Sequence, residues 1–260
     1  MCLILFAWQV DSRFPSIVAA NRDEFFRRPT AVADFWDQAP EVLAGRDIEA
    51  GGTWMGVTRQ GRFSALTNYR DPQQMQTNRP SRGKLVADFL TGSDSPEMYL
   101  KQNALYGQSC NGYNLLVGDR NSLWWSSNVT QESRALEPGI YGVSNHLLDS
   151  PWPKVGAGRT ALETALTRLP DTRELFELLM DPTIHADDAL PETGVGLEWE
   201  RMLSAAFIRI PPASPSYGTR SSTVLLVDPE GTTIYDEITW GLHASPTDIA
   251  ARQRYSFKTL

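Results

Sequence analysis

Short apolar runs separated by polar turns dominate the chain, and only a few stretches repeat at helical spacing. Cys2–Val10 is apolar almost throughout. A Pro-containing turn, Asp11–Pro15, divides it from a second apolar run, Ser16–Ala20, which ends in Asn21-Arg22-Asp23-Glu24. Two such runs around a polar turn predict a β-hairpin. Gly51–Thr58 and Phe63–Thr67, divided at Gln60-Gly61, predict a second hairpin that ends at Asn68. Tyr113–Asp119 with Leu123–Trp125 predicts a third, and Gly139–Ser144 a strand that ends at Asn145-His146. Near the C-terminus, Thr219–Asp228 and Thr232–Ile238 pair around Pro229-Glu230-Gly231, and Arg252–Phe257 reads as a last strand. Residues 25–50, rich in Pro and acids, read as an irregular connection. Residues 71–80 and 209–218 read as loops, and 181–196 as a mobile loop or lid.

Helical spacing appears in four places. Leu85, Val86, Phe89 and Leu90 share one face behind Ser81-Arg82-Gly83. Ser95-Pro96 predicts an N-cap and a first-turn proline for a helix carrying Met98, Leu100 and Leu105. Val155, Leu162, Ala165 and Leu166 follow the prolines at 151 and 153. Asp171 with Glu174 resembles a capping box ahead of Leu175, Phe176, Leu178 and Leu179. Strands, two helices, strands, two helices, strands is an order that suits segregated layers rather than βαβ alternation. The expected fold is a single α+β domain over residues 1–260. It is a four-layer αββα sandwich, with two antiparallel sheets stacked between helical layers. Unbroken apolar runs such as Val224–Val227 fit sheets covered on both faces.

Composition narrows the function classes. With 41% hydrophobic and 21% charged residues, the chain reads as an ordinary globular protein. A net charge of −7 argues against a nonspecific nucleic-acid binder. No apolar run reaches the length of a membrane span. No signal peptide is read at the N-terminus, so the expected location is cytoplasmic. Two cysteines make no disulfide framework, and the three histidines show no metal-ligand spacing.

The candidate chemistry lies at the start of the chain. If Met1 is removed, Cys2 carries a thiol and a free α-amine on one carbon, a nucleophile with its own base attached. The alternative is a small buried hydrophobe. The first hairpin brings Asn21, Arg22, Asp23 and Glu24 beside Cys2. There an arginine favours the thiolate and a carboxylate orients the amine. The alternative is a solvated charge cluster. Asn68 is either a turn residue or an amide donor to a developing oxyanion. Cys110 has no obvious basic neighbour in sequence.

Asn21-Arg22-Asp23-Glu24 resembles the signature of the NRDE family, whose eukaryotic members are called transport and Golgi organisation protein 2. The resemblance extends through Met1-Cys2, Gly51-Gly52-Thr53-Trp54, Thr67-Asn68, Ser81-Arg82-Gly83, Gly112–Leu115, Ser144-Asn145 with Pro151-Trp152-Pro153-Lys154, and Thr219–Thr223. The family in turn is similar to the cysteine branch of the N-terminal nucleophile hydrolases. That resemblance implies the αββα sandwich and a site of Cys2, Arg22, Asp23, Asn68, Asn145 and Arg220. Asn21, Glu24 and Trp54 are assigned to substrate binding. The branch spaces its Arg and Asp three apart; here Arg22 and Asp23 are adjacent, and Asn21 and Glu24 have that spacing.

Two functions follow. In the first, Cys2 attacks a non-peptide amide as an N-terminal nucleophile, on a small-molecule substrate and with no cofactor or metal. In the second, the protein is a non-catalytic carrier of a lipid, acyl-coenzyme A or haem. In that case Arg22, Arg27 and Arg28 receive a phosphate or carboxylate head group, or form a solvated basic face.

Overall fold

The computed structural model describes residues 2–210, 216–241 and 248–259, and its strands form two antiparallel sheets. The first sheet is built on the N-terminal hairpin of β1 (Cys2–Trp8) and β2 (Ser16–Phe25). Its other strands are β10 (Gly139–Val143), β11 (Tyr217–Val227), β12 (Thr232–Trp240) and β13 (Ile249–Lys258), in the order β10-β1-β2-β11-β12-β13. The second sheet is a meander. It runs through β3 (Thr30–Trp36), β4 (Ala39–Asp47), β5 (Met55–Thr58), β6 (Phe63–Asn68), β7 (Tyr113–Gly118), β8 (Leu123–Ser127) and β9 (Glu132–Ala135) in chain order.

Period-two alternation decides which layer each side chain joins. From β1, Leu3, Leu5 and Ala7 pack outward on α4 (Pro153–Ala165) and α5 (Arg173–Leu179). Ile4, Phe6 and Trp8 turn inward and meet Leu43, Met55, Val57 and Leu116 of the second sheet. That sheet covers its outer face with α1 (Gly83–Thr91) and α2 (Pro96–Gln102), through Leu85, Val86, Phe89, Leu90, Tyr99 and Leu100. Three apolar interfaces therefore separate four layers in the order helix, sheet, sheet, helix. Ser95 caps α2 as its sequence predicts, accepting from the Met98 amide.

Several elements differ from expectation, each for a physical reason. Residues 25–50 are not irregular, because β3 and β4 lie there. β3 is an edge strand that buries only Ala33 and Trp36, and β4 buries Val42, Leu43, Ala44 and Gly45, but Asp34, Asp37, Pro40 and Glu41 interrupt the apolar residues of both. β9 is exposed throughout and gives no apolar signal. The expected loop 181–196 includes a 3-10 turn at Asp187–Ala189 and leads into α6 (Leu197–Met202), whose only buried residue is the charged Glu200. The apolar positions Met98 and Leu105 point outward, Leu105 on the separate short helix α3 (Ala104–Ser109). The capping box at Asp171 does not form. Asp171 accepts from the Arg173 amide, two residues on, and Thr172 takes the N-cap position without a side-chain bond. The expected loop at 209–218 falls partly on 211–215, outside the described residues, as does His243.

Candidate functional site

The β1–β2 register pairs Cys2 directly with Arg22, so both side chains project from the same face at one end of the sheet. β2 does not stop at the charged cluster. It continues to Phe25, because β11 pairs with it as far as Tyr217–Phe25. Asn21, Arg22, Asp23 and Glu24 are therefore strand residues that alternate between faces.

Cys2, Arg22, Asp23, Glu24, Trp54 and Asn68 line one cleft of about 350 Å³, at the end where both sheets present their strand termini. Its wall depends on a close backbone approach. A Cβ on Gly52 would lie 2.5 Å from the Gly83 carbonyl carbon, so the loop before Trp54 can seat against the start of α1 only without a side chain there. Trp54 forms a platform, with the Arg22 guanidinium 4.1 Å above its ring. Arg22 also donates from Nη1 to Thr30 Oγ1 at 3.1 Å.

Burial pushes the Cys2 thiol up, and the Asp23 charge adds to this, while the Asp23 backbone N–H and Arg22 pull it down. Arg22 acts in the expected direction, but desolvation wins. A thiol held this way stays protonated near neutral pH and needs a base to become a nucleophile. Burial also pushes the Asp23 carboxyl up, against Lys154, the Thr219 hydroxyl and Arg70. Thr219 Oγ1 donates to Asp23 Oδ1 at 2.7 Å.

Behind the cleft lies a buried charge network drawn from three layers. Arg70, just after β6, donates from Nη1 to Glu200 Oε2 at 2.5 Å. Glu200 also accepts from the Thr193 amide and hydroxyl. Lys154, in the first turn of α4, is 3% exposed and donates from Nζ to the Leu203 carbonyl at 2.8 Å. Burial lowers the Lys154 ammonium to about 8, with Asp23 opposing.

That shift makes a stability prediction. Between pH 8 and 10.5 the unfolded chain still holds the Lys154 proton and the folded chain has released it. The unfolded state then binds more protons, so stability rises with pH across that window. Wild type should gain on the order of 3 kcal/mol there relative to Lys154→Met. Urea midpoints at pH 8 and pH 10 measure the difference. A wild-type loss relative to the variant would contradict this placement of Lys154.

Three expected site residues do not line the cleft. Asn21 is buried on the helical side, where Nδ2 donates to the Leu179 and Ala206 carbonyls and Oδ1 accepts from Ser222 Oγ. It ties the sheet to its helical cover. Asn145 is fully buried, and its Nδ2 donates to the Asn68 carbonyl at 2.9 Å. With its amide engaged there, Asn145 braces Asn68. Arg220 sits at a β-bulge between Thr219 and Ser221, which turns its guanidinium onto the carbonyls of Phe25, Phe26 and Arg28. It clamps the turn after β2.

Sequence reasoning passed over Arg82, Arg79, Arg70, Lys154 and Glu200. Arg82 and Lys154 stand inside quoted motifs, Ser81-Arg82-Gly83 and Pro151–Lys154, so a signal existed. Arg82 lines the cleft within electrostatic range of Cys2, Glu24 and Cys110. Cys110 thus has the basic neighbours Arg82 and Arg79, contrary to expectation, yet burial still pushes its thiol up. Among the described residues, no group of three His, Cys, Asp or Glu side chains is arranged to hold a metal ion. No helix among them is long and apolar enough to cross a membrane.

A family model described as Transport and Golgi organisation 2 matches residues 1–241. The Transport and Golgi organization protein 2 homologue of Bos taurus is 37% identical over 257 residues, covering 91% of this chain and 92% of that protein. The Homo sapiens homologue is 34% identical over 256 residues, with the same coverage. Among solved structures, a conjugated bile acid hydrolase variant from Clostridium perfringens superposes at a TM-score of 0.47 and 12% identity, covering 100% of this chain and 98% of that one.

Proposed function

The chain belongs to the Transport and Golgi organisation 2 family, and from that premise we propose that it is an amidohydrolase that cleaves a non-peptide C–N bond with Cys2 as N-terminal nucleophile. The observation that carries this reading is the seat of Cys2, at the first position of β1, opposite Arg22 and open to a cleft that also holds Asp23 and Asn68.

In this mechanism, removal of Met1 leaves Cys2 with a free α-amine. That amine serves as the base that the buried thiol needs, because α-amines as a class exchange protons close to neutral pH. It takes the Sγ proton as sulfur bonds to the amide carbon. The carbonyl oxygen becomes an oxyanion, received by Asn68 Nδ2, whose strand end is fixed from behind by Asn145. The α-ammonium returns the proton to the leaving nitrogen, the C–N bond breaks and a thioester remains. Water, deprotonated by the same amine, attacks the thioester, the C–S bond breaks, and the acid and the free thiol are released. Asp23 beside Cys2 stabilises the positive charge that develops on the amine as it takes up the proton.

Intact-mass spectrometry after mixing the untagged protein with a panel of simple amides tests the reading. It should show a chain lacking Met1 and an acyl adduct on Cys2. A chain retaining Met1, or one that never acylates, would rule out the amine-assisted mechanism. Asn68→Ala should lower kcat by on the order of 10²–10³ if its amide receives the oxyanion. Steady-state kinetics on any amide turned over measures this, and an unchanged kcat would remove Asn68 from that role.

The carrier reading draws on one observation, that burial keeps the Cys2 thiol protonated in a charged cleft. It would be favoured if ligands bind saturably while no amide is cleaved.

A further inference from the structure

The cleft beside Cys2 holds four arginines, and their partners divide them into two classes. Arg28 is neutralised, donating from Nε and Nη2 to Asp47 Oδ2 and from Nη1 to Glu49 Oε1. Arg22 lies flat on Trp54 and bonds Thr30. Arg79 and Arg82 contact only neutral acceptors. Arg79 donates from Nε to Gln76 Oε1 at 2.9 Å and from Nη1 to the Ser109 carbonyl at 3.1 Å. Arg82 donates from Nη1 to the Gly112 carbonyl at 3.2 Å. Among the described residues, neither forms an ion pair with a carboxylate.

These two arginines also stand at a junction. A second chamber of about 480 Å³ adjoins the first and shares Arg79, Arg82 and Asn111 with it. Apart from Asp71 and the two arginines, its polar lining is uncharged, with the amides Gln73, Gln74, Gln76, Gln108 and Asn128 beside the Tyr69 ring. Two guanidiniums that form no ion pair among the described residues, with Glu24 only within electrostatic range of Arg82, stand on the wall between a nucleophile's chamber and one lined mainly by amides. They present the planar donor fork that suits an oxyanion.

We propose that Arg79 and Arg82 form a binding subsite for a carboxylate or phosphate oxyanion on a small molecule whose other end reaches Cys2. The ligand then carries its anionic group at the junction and places an uncharged, hydrogen-bonding portion in the second chamber. If Cys2 cleaves it, the substrate class is an anionic amide rather than an apolar one. This orientation rests on the amidohydrolase reading; the oxyanion subsite is measurable without it.

The experiment titrates the full chain with succinate and with inorganic phosphate by calorimetry at constant ionic strength. The variants are Arg79→Gln, Arg82→Gln, Cys2→Ala and the remote, exposed Arg168→Gln. Wild type should bind one of the two anions saturably, and the tighter one identifies the oxyanion. Arg79→Gln and Arg82→Gln should each weaken binding by about tenfold or more, since each removes charge-assisted hydrogen bonds. Cys2→Ala and Arg168→Gln should stay within about twofold of wild type. If Arg82→Gln fails to fold, Arg82→Lys takes its place. It keeps the charge but loses the fork, and should still weaken binding. No saturable binding of either anion would overturn the subsite, as would equal affinity in the Arg79 and Arg82 variants or an equal loss in Arg168→Gln. Anion binding without amide turnover would sink the hydrolase reading alone. Turnover without anion binding would sink the subsite alone.

Discussion

Cys2→Ala should leave a folded protein that turns over no amide. The loss in kcat should be on the order of 10⁶, the scale seen when a hydrolase loses its nucleophile. No other group takes over, because Cys110 is only 5% exposed and a raised thiol pKa keeps it protonated. The fold should tolerate the change. The Cys2 side chain faces the cleft rather than a packed layer, and alanine keeps the β-strand backbone and its pairing to Arg22. The stability cost should be no more than about 1 kcal/mol. Kinetics on an amide that the wild type cleaves, together with a thermal melt of each protein, measures both parts. Turnover at the wild-type rate would mean that Cys2 lines the cleft without doing chemistry there. A carrier protein gives a third pattern, in which ligand affinity survives Cys2→Ala and no variant changes a rate.

Glu200→Ala should be the most destabilising single change at this end of the molecule. The Arg70–Glu200 pair is 2.5 Å long, and its side chains are 4% and 3% exposed. Removing the acid takes away the carboxylate hydrogen-bonded to the buried guanidinium, close to the Lys154 ammonium. Breaking a buried pair in this way costs about 3–5 kcal/mol. For a chain of this size that lowers Tm by on the order of 10 °C. The effect should reach the cleft. The Arg70 amide donates to the Asn145 carbonyl, and Asn145 in turn holds Asn68. Arg70→Met combined with Glu200→Leu should lose less than Glu200→Ala alone, because the guanidinium is then removed together with its acid. Differential scanning calorimetry of the single and double variants decides it. A Glu200→Ala melt within about 1 °C of wild type would show that the pair contributes nothing net.

Much of the layer order could be read locally. The helix faces at Leu85, Val86, Phe89 and Leu90 and at Val155, Leu162 and Ala165 are buried as their spacing predicts. β9 escaped notice because all four of its side chains meet water, and β3 and β4 because acidic residues and Pro40 interrupt the apolar pattern that a reader uses. α6 escaped for a related reason, because the side chain it buries is a carboxylate.

At the cleft, the sequence by itself determined the pairing of Cys2 with Arg22. One short turn joins two strands whose apolar faces must both be covered, and a slip of one residue would invert every side chain between helix layer and inter-sheet core. The same alternation sent Asn21 away from Cys2, onto carbonyls 158 and 185 residues distant in the chain. Tertiary structure alone decided the rest. A bulge at Thr219/Ser221 turned Arg220 onto the backbone after β2. The return of β10 beside β1 set Asn145 behind Asn68. The folding of α4 and α6 over one sheet end put Lys154 and Glu200 beside Asp23 and Arg70. Those roles depend on desolvation and on partners far away in the chain, and local sequence carries neither: a charged residue is written with the same letter whether water or another layer of the fold surrounds it.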